Sequence, residues 1–454
     1  MSHIQMIEAI ILAAGQGTRM KSKKAKVLHE LGDKTLLQHV VDAIQPLSTS
    51  INIVIGNKAE LVKNSINNRS INWVLQKMQL GTGHAIQQAI SNINDELTCV
   101  ILYGDVPLIT TNTIKTLVDK SQKNGFSLLS VLLNDPNGYG RIIRNKNELI
   151  KAIVEDKDAD VNERKINEIN TGIMAIQGSL LKKYIPQLKP NNSQGELYLT
   201  DIVKIAFEDN ITISSLVCDN VSEVMGINDK NQLAEAERIY QQQQAKEFMS
   251  KGLTIKDPNR FDCRGSLIFG NDCSVDINVV LEGENELGEN VIIAPNCIIK
   301  NAKIGDNAEI KANTIIEDAV IGSHTTIGPF ARIRPETEVG NNARIGNFVE
   351  VKKSSIDDGS KVPHLSYIGD STIGKNVNVG AGVITCNYDG INKHQTVIED
   401  GVFIGSDTQL IAPVTIGENA TIGAGSTITQ DVPREKLALS RKKQKTISNW
   451  KRKK

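Results

Sequence analysis

Two glycines and two cations follow an apolar run near the start of the chain, in a pattern suited to binding phosphate. The run IEAIILAAG (residues 7–15) leads into Gly15 and Gly17, with Arg19 and Lys26 beyond them. Glycine lets backbone N–H groups approach a phosphate closely, and arginine and lysine neutralise its charge. Each cation alone would usually be a solvated surface residue, but their joint spacing after a predicted strand indicates a phosphate loop.

Three kinds of phosphate loop compete for this segment. A dinucleotide fingerprint, GxGxxG, requires a third glycine where Met20 stands. A Walker A loop requires GxxxxGK followed by serine or threonine, and that glycine frame is missing around Lys21 and Lys26. The pattern that remains, LxxGxGTRM with Lys26 six residues on, is neither of these two motifs.

Asp105 is a third charged candidate, and it ends the apolar run CVILYGD (residues 99–105). An isolated Asp-Val-Pro sequence is more often a turn than a ligand. In a sheet whose strands alternate with helices, however, ligands bind outside the carboxyl ends of the strands, where both Asp105 and Gly15 would lie. A carboxylate opposite a phosphate loop suits Mg²⁺, so Asp105 is our candidate metal ligand.

The elements that must position these residues alternate in the first half of the chain. Short apolar runs at 7–15, 51–56 and 99–105 are typical of strands, while 35–47 and 84–93 carry apolar residues at helical spacing. This alternation predicts an α/β, Rossmann-like domain with a mostly parallel sheet that is covered on both faces.

Beyond residue 250 the apolar residues recur at intervals of six. A helix or an alternating hairpin does not use this period, whereas a three-sided coil of short parallel strands does. We therefore predict a left-handed parallel β-helix of hexapeptide repeats. The aliphatic residues at this spacing are Ile315, Ile321, Ile327, Ile333, Val339, Ile345 and Val351, and later Ile404, Leu410, Ile416, Ile422 and Ile428. The register breaks at about 352–372 and 385–403, where we expect loops ejected from the coil.

The chain is predicted to consist of four segments. Residues 1–228 form the α/β domain, 229–252 a linker helix, and 253–440 the repeat domain. The tail at 441–454 has eight basic residues and no acidic one, which is typical of a solvated chain end.

Composition argues against several classes of partner. The 454 residues include 52 basic and 52 acidic side chains and only 4% aromatic residues, which does not favour nucleic acid. No run approaches the roughly 18 apolar residues of a membrane span. Six well-separated cysteines fit neither a zinc site nor a disulfide framework, and the N-terminus does not resemble a signal peptide. We therefore expect free thiols in a cytoplasmic protein.

The segments ILAAGQGTRM and KVLHELGDKTLL resemble the nucleotidyltransferases that make nucleoside-diphosphate sugars. Further matching segments are QLGTGHA, LYGDVPLI, NGYGRI, VEDKDA, EINTGI and VMGIND. The resemblance implies that Arg19 and Lys26 are catalytic and that Asp105 and Asn228 bind Mg²⁺. It also implies uracil contacts from Gln76, Gly81 and Thr82, sugar contacts from Gly140, Glu155 and Asn170, and further nucleotide-sugar contacts from Leu12, Ala13, Ala14, Gly15, Tyr103 and Gly104.

The two joined halves resemble bacterial bifunctional N-acetylglucosamine-1-phosphate uridylyltransferases/glucosamine-1-phosphate N-acetyltransferases over about residues 7–441. In the repeat half the match rests on IGPFARIRP, GNFVEVKKS, HLSYIGD, NVGAGVITCNYDG and FIGSDTQLIAPVTIG. It implies acetylation of glucosamine 1-phosphate by acetyl-CoA, followed by uridylyl transfer from UTP to N-acetylglucosamine 1-phosphate. It also implies a homotrimer whose acetyltransferase sites lie between subunits.

His364 lies in the segment that matches the catalytic motif of this family, HLSY. The substrate amine must lose a proton before it attacks the thioester, and histidine is suited to accept it. Ser406 is our candidate oxyanion donor, and Asn387 would lie close to the reacting atoms. The family match assigns Arg334, Lys352, Tyr367 and Asn378 to glucosamine 1-phosphate, and Ala381, Asn387, Tyr388, Ser406, Ala424 and Arg441 to acetyl-CoA.

Two departures and two alternatives accompany this interpretation. Ala25 stands where the family usually has proline, and Val362 and Pro363 precede His364 where small residues are common.

One alternative is a sugar-nucleotide pyrophosphorylase whose β-helix serves only as an oligomerisation scaffold. The other is a non-catalytic scaffold subunit, which would have no reason to keep Asp105, Asn228 and His364.

Overall fold

The chain forms two compact units, Met1–Tyr240 and Gln241–Lys454. The computed structural model describes residues 7–56, 58–66 and 71–452. The division falls within a helix, Lys230–Ser250, which occupies most of the predicted linker. The predicted domain limits at residues 228, 252 and 440 stay predictions.

The first unit is built on a nine-stranded mixed sheet. Ile7–Ala13 pairs in parallel with Ser48–Ile55 on one side and with Thr98–Tyr103 on the other. Glu168–Gln177 runs antiparallel to both of its neighbours on the main path, and Arg141–Arg144 pairs antiparallel with Ile150–Val154. The order along the main path is Ser214–Cys218, Phe126–Leu132, Glu168–Gln177, Thr98–Tyr103, Ile7–Ala13, Ser48–Ile55, Ile71–Leu75.

Helices cover both faces of this sheet, as the alternation of apolar runs predicts. Every residue of Ile7–Ala13 is buried. Ala9 and Ile11 belong to one apolar core, and Ile10 and Leu12 to a second, because successive side chains of a strand point to opposite faces. The α-helices of this unit are Leu36–Ile44, Ala59–Asn64, Thr82–Ala89, Thr111–Ser121, Gly178–Tyr184 and Asp201–Glu208, besides the first part of Lys230–Ser250.

Shorter elements complete the first unit and shape the loops at the sheet edge. The two-residue strands Glu30–Leu31 and Lys34–Thr35 pair antiparallel just before helix Leu36–Ile44. Single turns of 3-10 helix occur at Thr18–Met20, Lys26–Leu28, Ile90–Asn92, Glu163–Lys165, Ile185–Gln187 and Val221–Val224.

The second unit is a parallel β-helix of short strands. Ile327 pairs with Ile345, and Ile345 pairs with Val362, so successive coils span 18 and 17 residues. These aliphatic side chains are buried in one continuous core inside the coil. The predicted α/β domain and left-handed hexapeptide β-helix are therefore confirmed.

The strands of the coil lie on three faces. One face is an 11-stranded sheet formed by Thr254–Ile255, Ser274–Val275, Ile292–Ile293, Glu309–Ile310, Thr326–Ile327, Arg344–Asn347, Lys361–His364, Asn378–Val379, Phe403–Ile404, Thr421–Ile422 and Leu437–Ala438. The other two faces share a 17-stranded sheet formed by Phe261–Phe269, Val279–Leu287, Ile298–Lys300, Lys303–Ile304, Ile315–Glu317, Ala319–Ile321, Arg332–Ile333, Thr337–Val339, Glu350–Lys352, Ser355–Ile356, Tyr367–Gly369, Ser371–Ile373, Ile384–Cys386, Thr396–Ile398, Gln409–Ile411, Val414–Ile416 and Thr427–Ile428. A 3-10 turn at Pro258–Arg260 precedes the long strand Phe261–Phe269.

The prediction of an ejected loop at residues 352–372 is wrong. Strands continue through this segment, and Ile356 and Val362 are fully buried in the coil. The register breaks because the step from Val351 to Ile356 is five residues instead of six, which shortens a corner without ejecting a loop. His364 is consequently the last residue of the coil strand Lys361–His364.

The second expected loop is present but shorter than predicted. Residues 387–395 leave the coil between Ile384–Cys386 and Thr396–Ile398. The pairing of Ile373 with Ile398 spans 25 residues here, compared with 17 between Ile356 and Ile373. The coil resumes with its ordinary period after this one insertion.

Two further expectations concern cysteines and membranes. All six cysteines are free thiols, and five of them are buried. Within the described part of the chain, we find no helix that is both long and apolar enough to span a membrane.

Candidate active sites

The glycine loop lies directly after the central strand Ile7–Ala13 and brings Lys26 close to it. Gly17 has a φ of 63°, in the left-handed region, and a Cβ built there would lie 2.7 Å from the Cβ of Lys26. A side chain at position 17 would therefore push Lys26 away. A Cβ at Gly15 would have no atom within 4 Å, so this glycine borders open space.

Four predicted site residues from distant parts of the chain meet beside this loop. The ammonium group of Lys26 forms an ion pair with Asp105 and lies 3.2 Å from the Oδ1 of Asn228. Arg19 donates from its Nη2 to the same Oδ1 at 2.8 Å. Two cations, a carboxylate and an amide oxygen thus converge at the carboxyl ends of the central strands.

Backbone hydrogen bonds fix the two oxygen donors next to each other. The N–H of Ile227 donates to the carbonyl of Asp105 at 2.9 Å. Asn228 follows directly, and its own N–H donates to the Oε1 of Gln232 at 2.7 Å, in the first turn of helix Lys230–Ser250. The helix that joins the two units therefore also orients Asn228.

The donor set fits a magnesium ion. A positive group, the Lys26 ammonium, already lies between the oxygen atoms of Asp105 and Asn228, which are hard ligands of the kind Mg²⁺ prefers. Among the described residues there is no group of three His, Cys, Asp or Glu side chains that could hold a metal. The protein thus offers two donors, and a nucleotide's phosphates would supply others.

A cleft runs from this cluster toward the amino end of helix Thr82–Ala89. Gln79 and Glu196 line it although the sequence argument did not single them out. Gly81 has a φ of 107° and packs on Leu197, where a Cβ would lie 2.5 Å from the carbonyl oxygen. The predicted residues that line the cleft are Leu12, Ala13, Ala14, Gly15, Lys26, Gln76, Gly81, Thr82, Tyr103 and Asp105.

Gly104 is packed tightly between two predicted site residues, Tyr103 and Asp105. It is buried, and a Cβ there would approach Leu37, Val27 and Ala13 at 3.1 to 3.3 Å. Its N–H donates to the carbonyl of Leu12 at 3.0 Å. Gly104 therefore packs the strand ends together, and its contact with the nucleotide sugar stays a prediction.

The three predicted sugar-binding residues are neighbours. The N–H of Asn170 donates to the carbonyl of Gly140 at 2.8 Å, and Glu155 accepts from the hydroxyl of Thr200 at 3.0 Å. A Cβ on Gly140 would lie 3.3 Å from Glu155. Burial raises the pKa of Glu155, and three nearby aspartates raise it further, while the bond from Thr200 lowers it.

Tyr103 connects the sugar side with the metal side. Burial raises the pKa of its hydroxyl, and the charges of Glu155 and Asp105 add to that rise. Gly172 packs against the ring, and a Cβ there would lie 2.5 Å from it. The phenol of Tyr103 therefore stays neutral and keeps its O–H as a hydrogen-bond donor.

His364 lies on the outside of the coil at the end of its strand. Its Nδ1 is 2.8 Å from the Oδ1 of Asn347, which occupies the same place one coil earlier. An amide oxygen can only accept, so Nδ1 carries the proton of the neutral ring and Nε2 keeps its lone pair. The extended conformation that Pro363 requires of Val362 is met, because Val362 is a buried strand residue.

Several predicted acetyl-CoA residues lie in the coils that follow the one containing His364. The backbone carbonyl of Ala381 accepts from the N–H of Asp407, and the backbone carbonyl of Ser406 accepts from the N–H of Gly425, both at 2.8 Å. Arg441 donates to the carbonyl of Ala424 at 3.1 Å. Small side chains and one guanidinium thus follow His364 along the coil axis, which would suit an extended ligand with phosphates at one end.

A polar cluster lies on the neighbouring face. Asn387 is buried and donates to Asp370 at 2.5 Å, and its Nδ2 is 3.5 Å from the hydroxyl of Tyr367. Lys352 contacts Lys393 and holds the pKa of that ammonium below its usual range. Two close ammonium groups would suit an anion such as a phosphate.

The structure does not gather every predicted residue in this cluster. Arg334 is adjacent and forms an ion pair with Glu350 at 2.7 Å. Asn378 lies on a different face, in a strand that pairs with Lys361. Tyr388 is exposed in the ejected loop, and its hydroxyl donates to the carbonyl of Gly390.

Sequence reasoning missed several residues that hold the site together. Asn347 could have been found, since it precedes His364 by 17 residues, which is one coil. Gln232 was harder to find: it lies four residues after Asn228, which is the spacing of one helical turn. Asp370 and Lys393 gave no signal, because their approach to Asn387 and Lys352 depends on how the loop folds.

Comparison with known proteins places these sites in a class. Residues 9–157 match the MobA-like NTP transferase domain, and residues 318–353 and 395–430 match the bacterial transferase hexapeptide, a family of six repeats. The fold and its sites therefore define a nucleotidyltransferase joined to a hexapeptide-repeat transferase.

Similar proteins extend over nearly the whole chain. The bifunctional protein GlmU of Ruthia magnifica is 58% identical over 446 residues, which is 98% of each chain. That of Vesicomyosocius okutanii is 57% identical over 97% of this chain and 98% of its own. That of Marinobacter nauticus is 52% identical over 98% of each. The chain belongs to the GlmU family, and it is a bifunctional transferase with uridylyltransferase and acetyltransferase activities.

Proposed function

We propose that the chain acetylates glucosamine 1-phosphate with acetyl-CoA and then joins the product, N-acetylglucosamine 1-phosphate, to UTP with release of pyrophosphate. The observation that carries the second step is the convergence of Arg19, Lys26, Asp105 and Asn228 at one end of the nucleotide cleft. The second unit supplies a separate place for the first step, on the β-helix around His364.

In the uridylyl transfer, the chain's own residues orient the two phosphates that react. Arg19 and Lys26 neutralise charge that develops on the departing pyrophosphate. Asp105 and Asn228 would hold Mg²⁺, which supplies Lewis-acid stabilisation when it is bound. Gly140, Glu155 and Asn170 would hold the sugar so that its phosphate faces the α-phosphorus of UTP.

In the acetyl transfer, His364 removes a proton from the amine of glucosamine 1-phosphate. Its Nε2 is the basic nitrogen, since Nδ1–H donates to Asn347. The freed amine attacks the thioester carbonyl, and a polar donor such as Ser406 stabilises the oxyanion. The tetrahedral intermediate then collapses with cleavage of its C–S bond. The nitrogen releases its extra proton to solvent, and CoA leaves as the thiol after it takes a proton from the His364 imidazolium. Asn387 and Tyr388 would lie near the reacting atoms, while Ala381, Ala424 and Arg441 would contact the rest of acetyl-CoA.

The acetyltransferase site supports a homotrimer as part of this proposal. Asn378 and the cluster of Arg334, Lys352 and Tyr367 lie on different faces of the coil. A second copy that presents its Asn378 to the first would complete the set of sugar-phosphate contacts. A particle mass of three chains by light scattering, and mixed-variant complementation between Asn378→Ala and Tyr367→Phe chains, would support this arrangement. A monomer with full acetyltransferase activity would contradict it.

Two assays on one preparation test the proposed function. Release of free CoA from acetyl-CoA plus glucosamine 1-phosphate measures the first step, and release of pyrophosphate from UTP plus N-acetylglucosamine 1-phosphate with Mg²⁺ measures the second. Asp105→Ala should abolish only the second activity, and His364→Ala only the first. Each variant is thus the control for the other. Both activities surviving both substitutions would mean that our site assignments are wrong.

The alternative, a pyrophosphorylase with a scaffold β-helix, predicts no CoA release by the unaltered protein. The arrangement of Asn347 behind His364 argues against it, because a scaffold does not require a histidine with an oriented free nitrogen. The cytoplasmic location stays a prediction that agrees with UTP and acetyl-CoA as substrates.

A further inference from the structure

Gln76 lies in the nucleotide cleft with its side-chain amide held by two hydrogen bonds. Its Nε2 donates to the carbonyl of Gly81 at 3.2 Å and lies 3.0 Å from the Nδ1 of His84. The side chain is buried, and its backbone N–H donates to Ile55 at 2.8 Å, so the whole residue is anchored.

These two contacts determine which atom of the amide faces the cleft. The carbonyl of Gly81 can only accept a hydrogen bond, so the NH₂ group must point toward it. With Nδ1 of His84 as a second acceptor, both N–H bonds of the amide are used. Among the described residues, both hydrogen bonds of this side chain run through Nε2, and the Oε1 of Gln76 is therefore the atom left for a ligand.

The surroundings of His84 allow Nδ1 to accept. Its other nitrogen, Nε2, lies 3.3 Å from the amide end of Gln88, which is exposed. A half-turn of that exposed amide brings its oxygen to the Nε2–H, whereas a turned Gln76 would place its own oxygen against the carbonyl oxygen of Gly81. The orientation of the buried Gln76 amide is thus fixed, and the exposed Gln88 amide can turn to match it.

We infer that His84 is a positioning residue that sets the base specificity of the uridylyltransferase, by locking Gln76 with its Oε1 toward the base. This rests on the proposed function, in which Gln76 contacts uracil. Uracil presents an N3–H donor to that oxygen, whereas cytosine presents a lone pair at N3 and an amino group in place of O4. An acceptor that is fixed in place rejects the base whose edge also accepts there.

The test compares His84→Leu with His84→Asn in the full-length protein. Leucine removes the acceptor, while the Oδ1 of asparagine can replace Nδ1. The readout is the ratio of kcat/KM for UTP to that for CTP, with dTTP as a control, because thymine has the same N3–H as uracil. Acetyl transfer by the same preparations and their thermal unfolding show whether the protein is folded.

We expect His84→Leu to lower the UTP-to-CTP ratio about tenfold, on the order of one lost orienting hydrogen bond, and to leave the UTP-to-dTTP ratio unchanged. His84→Asn should keep both ratios. An equal loss for all three nucleotides in both variants would overturn the inference, because it would indicate a merely structural role.

A further variant separates this inference from the proposed function. If Gln76→Leu impairs the use of UTP but His84→Leu keeps the original UTP-to-CTP ratio, His84 does not orient the amide and the inference is wrong. If Gln76→Leu leaves the use of UTP unchanged, the assignment of the base to this cleft fails, and the inference fails with it.

Discussion

Lys26 and Asp105 are 79 residues apart in the sequence, yet their side chains form an ion pair in which only 14% and 15% of each is exposed. The Oδ1 of Asn228 lies 3.2 Å from the same ammonium. A cation of the protein itself therefore occupies the point where the two proposed metal ligands converge. If Asp105 and Asn228 hold Mg²⁺ as we propose, Lys26 would have to leave this point, and the triphosphate would offer it a new partner.

Replacing Lys26 by methionine should separate metal binding from catalysis. We expect Lys26→Met to bind Mn²⁺ alone several-fold more tightly, because the competing ammonium is gone. Uridylyl transfer should fall by about 100-fold, since a charge that stabilises the departing pyrophosphate is lost. Titration calorimetry with Mn²⁺ and a pyrophosphate-release assay measure the two effects.

The matched control for this experiment is Arg19→Met. Arg19 contacts Asn228 but not Asp105, so its loss should change metal affinity much less. Weaker Mn²⁺ binding by Lys26→Met than by the unaltered protein would contradict the competition between the ammonium and the metal.

Asn347 should be needed for acetyl transfer although it is remote from His364 in the sequence. Asn347→Ala leaves the imidazole free to rotate and to adopt the other tautomer, so we expect kcat to fall by about 10- to 100-fold. Asn347→Asp keeps the contact but adds a negative charge, which favours the protonated ring. The acidic limb of the acetyltransferase pH profile should then move to higher pH, because the base must be neutral.

Uridylyl transfer by the same two variants is the internal control, and it should be unchanged. A pH profile that is identical in Asn347→Asp and in the unaltered protein would show that Asn347 does not contact the catalytic ring.

The ejected loop is closed by a hydrogen bond between the Nε2 of His394 and the carboxylate of Asp389, at 2.7 Å. The imidazole, together with the N–H groups of Asn392 and Ile391, lowers the pKa of Asp389 to about 2. A lowered carboxyl pKa stabilises the folded loop above the ordinary value of about 4, and this stabilisation is lost as the pH falls through about 2. Asp389 therefore stays ionised at neutral pH.

We expect Asp389→Asn and His394→Ala to loosen this loop and raise the KM for glucosamine 1-phosphate several-fold. The reason is that the loop carries Asn387 and Lys393, and the N–H of His394 donates to the carbonyl of Asn387 at 2.8 Å. Hydrogen exchange of residues 387–395 reports the loosening, and initial-rate kinetics report KM. A change in kcat with no change in either KM or exchange would contradict a positioning role.

Ala25 has backbone angles that suit the proline usual in the family. Its φ of −62° and ψ of 144° lie where proline is unstrained. We expect Ala25→Pro to stabilise the first unit by about 0.4–1 kcal/mol, because the unfolded chain loses conformational freedom. Calorimetry should show its transition about 1–3 °C higher. Ala25→Gly is the opposite control and should lower the temperature of this unfolding transition. A lower transition temperature for Ala25→Pro than for the unaltered protein would contradict the argument.

Much of the architecture followed from local patterns. The strand at Ile7–Ala13 and the coil strands were predictable because apolar periodicity reflects which side chains must be buried. The six-residue spacing identified the β-helix, since a period of six is incompatible with a helix or a hairpin. It also led to one error, at 352–372, because a corner that is one residue short breaks the period as a loop would.

What the sequence determined by itself is the type of chemistry, through residues that lie close together in it: Gly15, Gly17 and Arg19 in one loop, and His364 in one motif. Only the tertiary structure decided the partners. The contacts of Lys26 with Asp105, of Asn347 with His364, and of Gln76 with His84 each require two side chains to come within hydrogen-bonding distance. Such distances follow from how strands align and loops close, which no local pattern of residue types encodes.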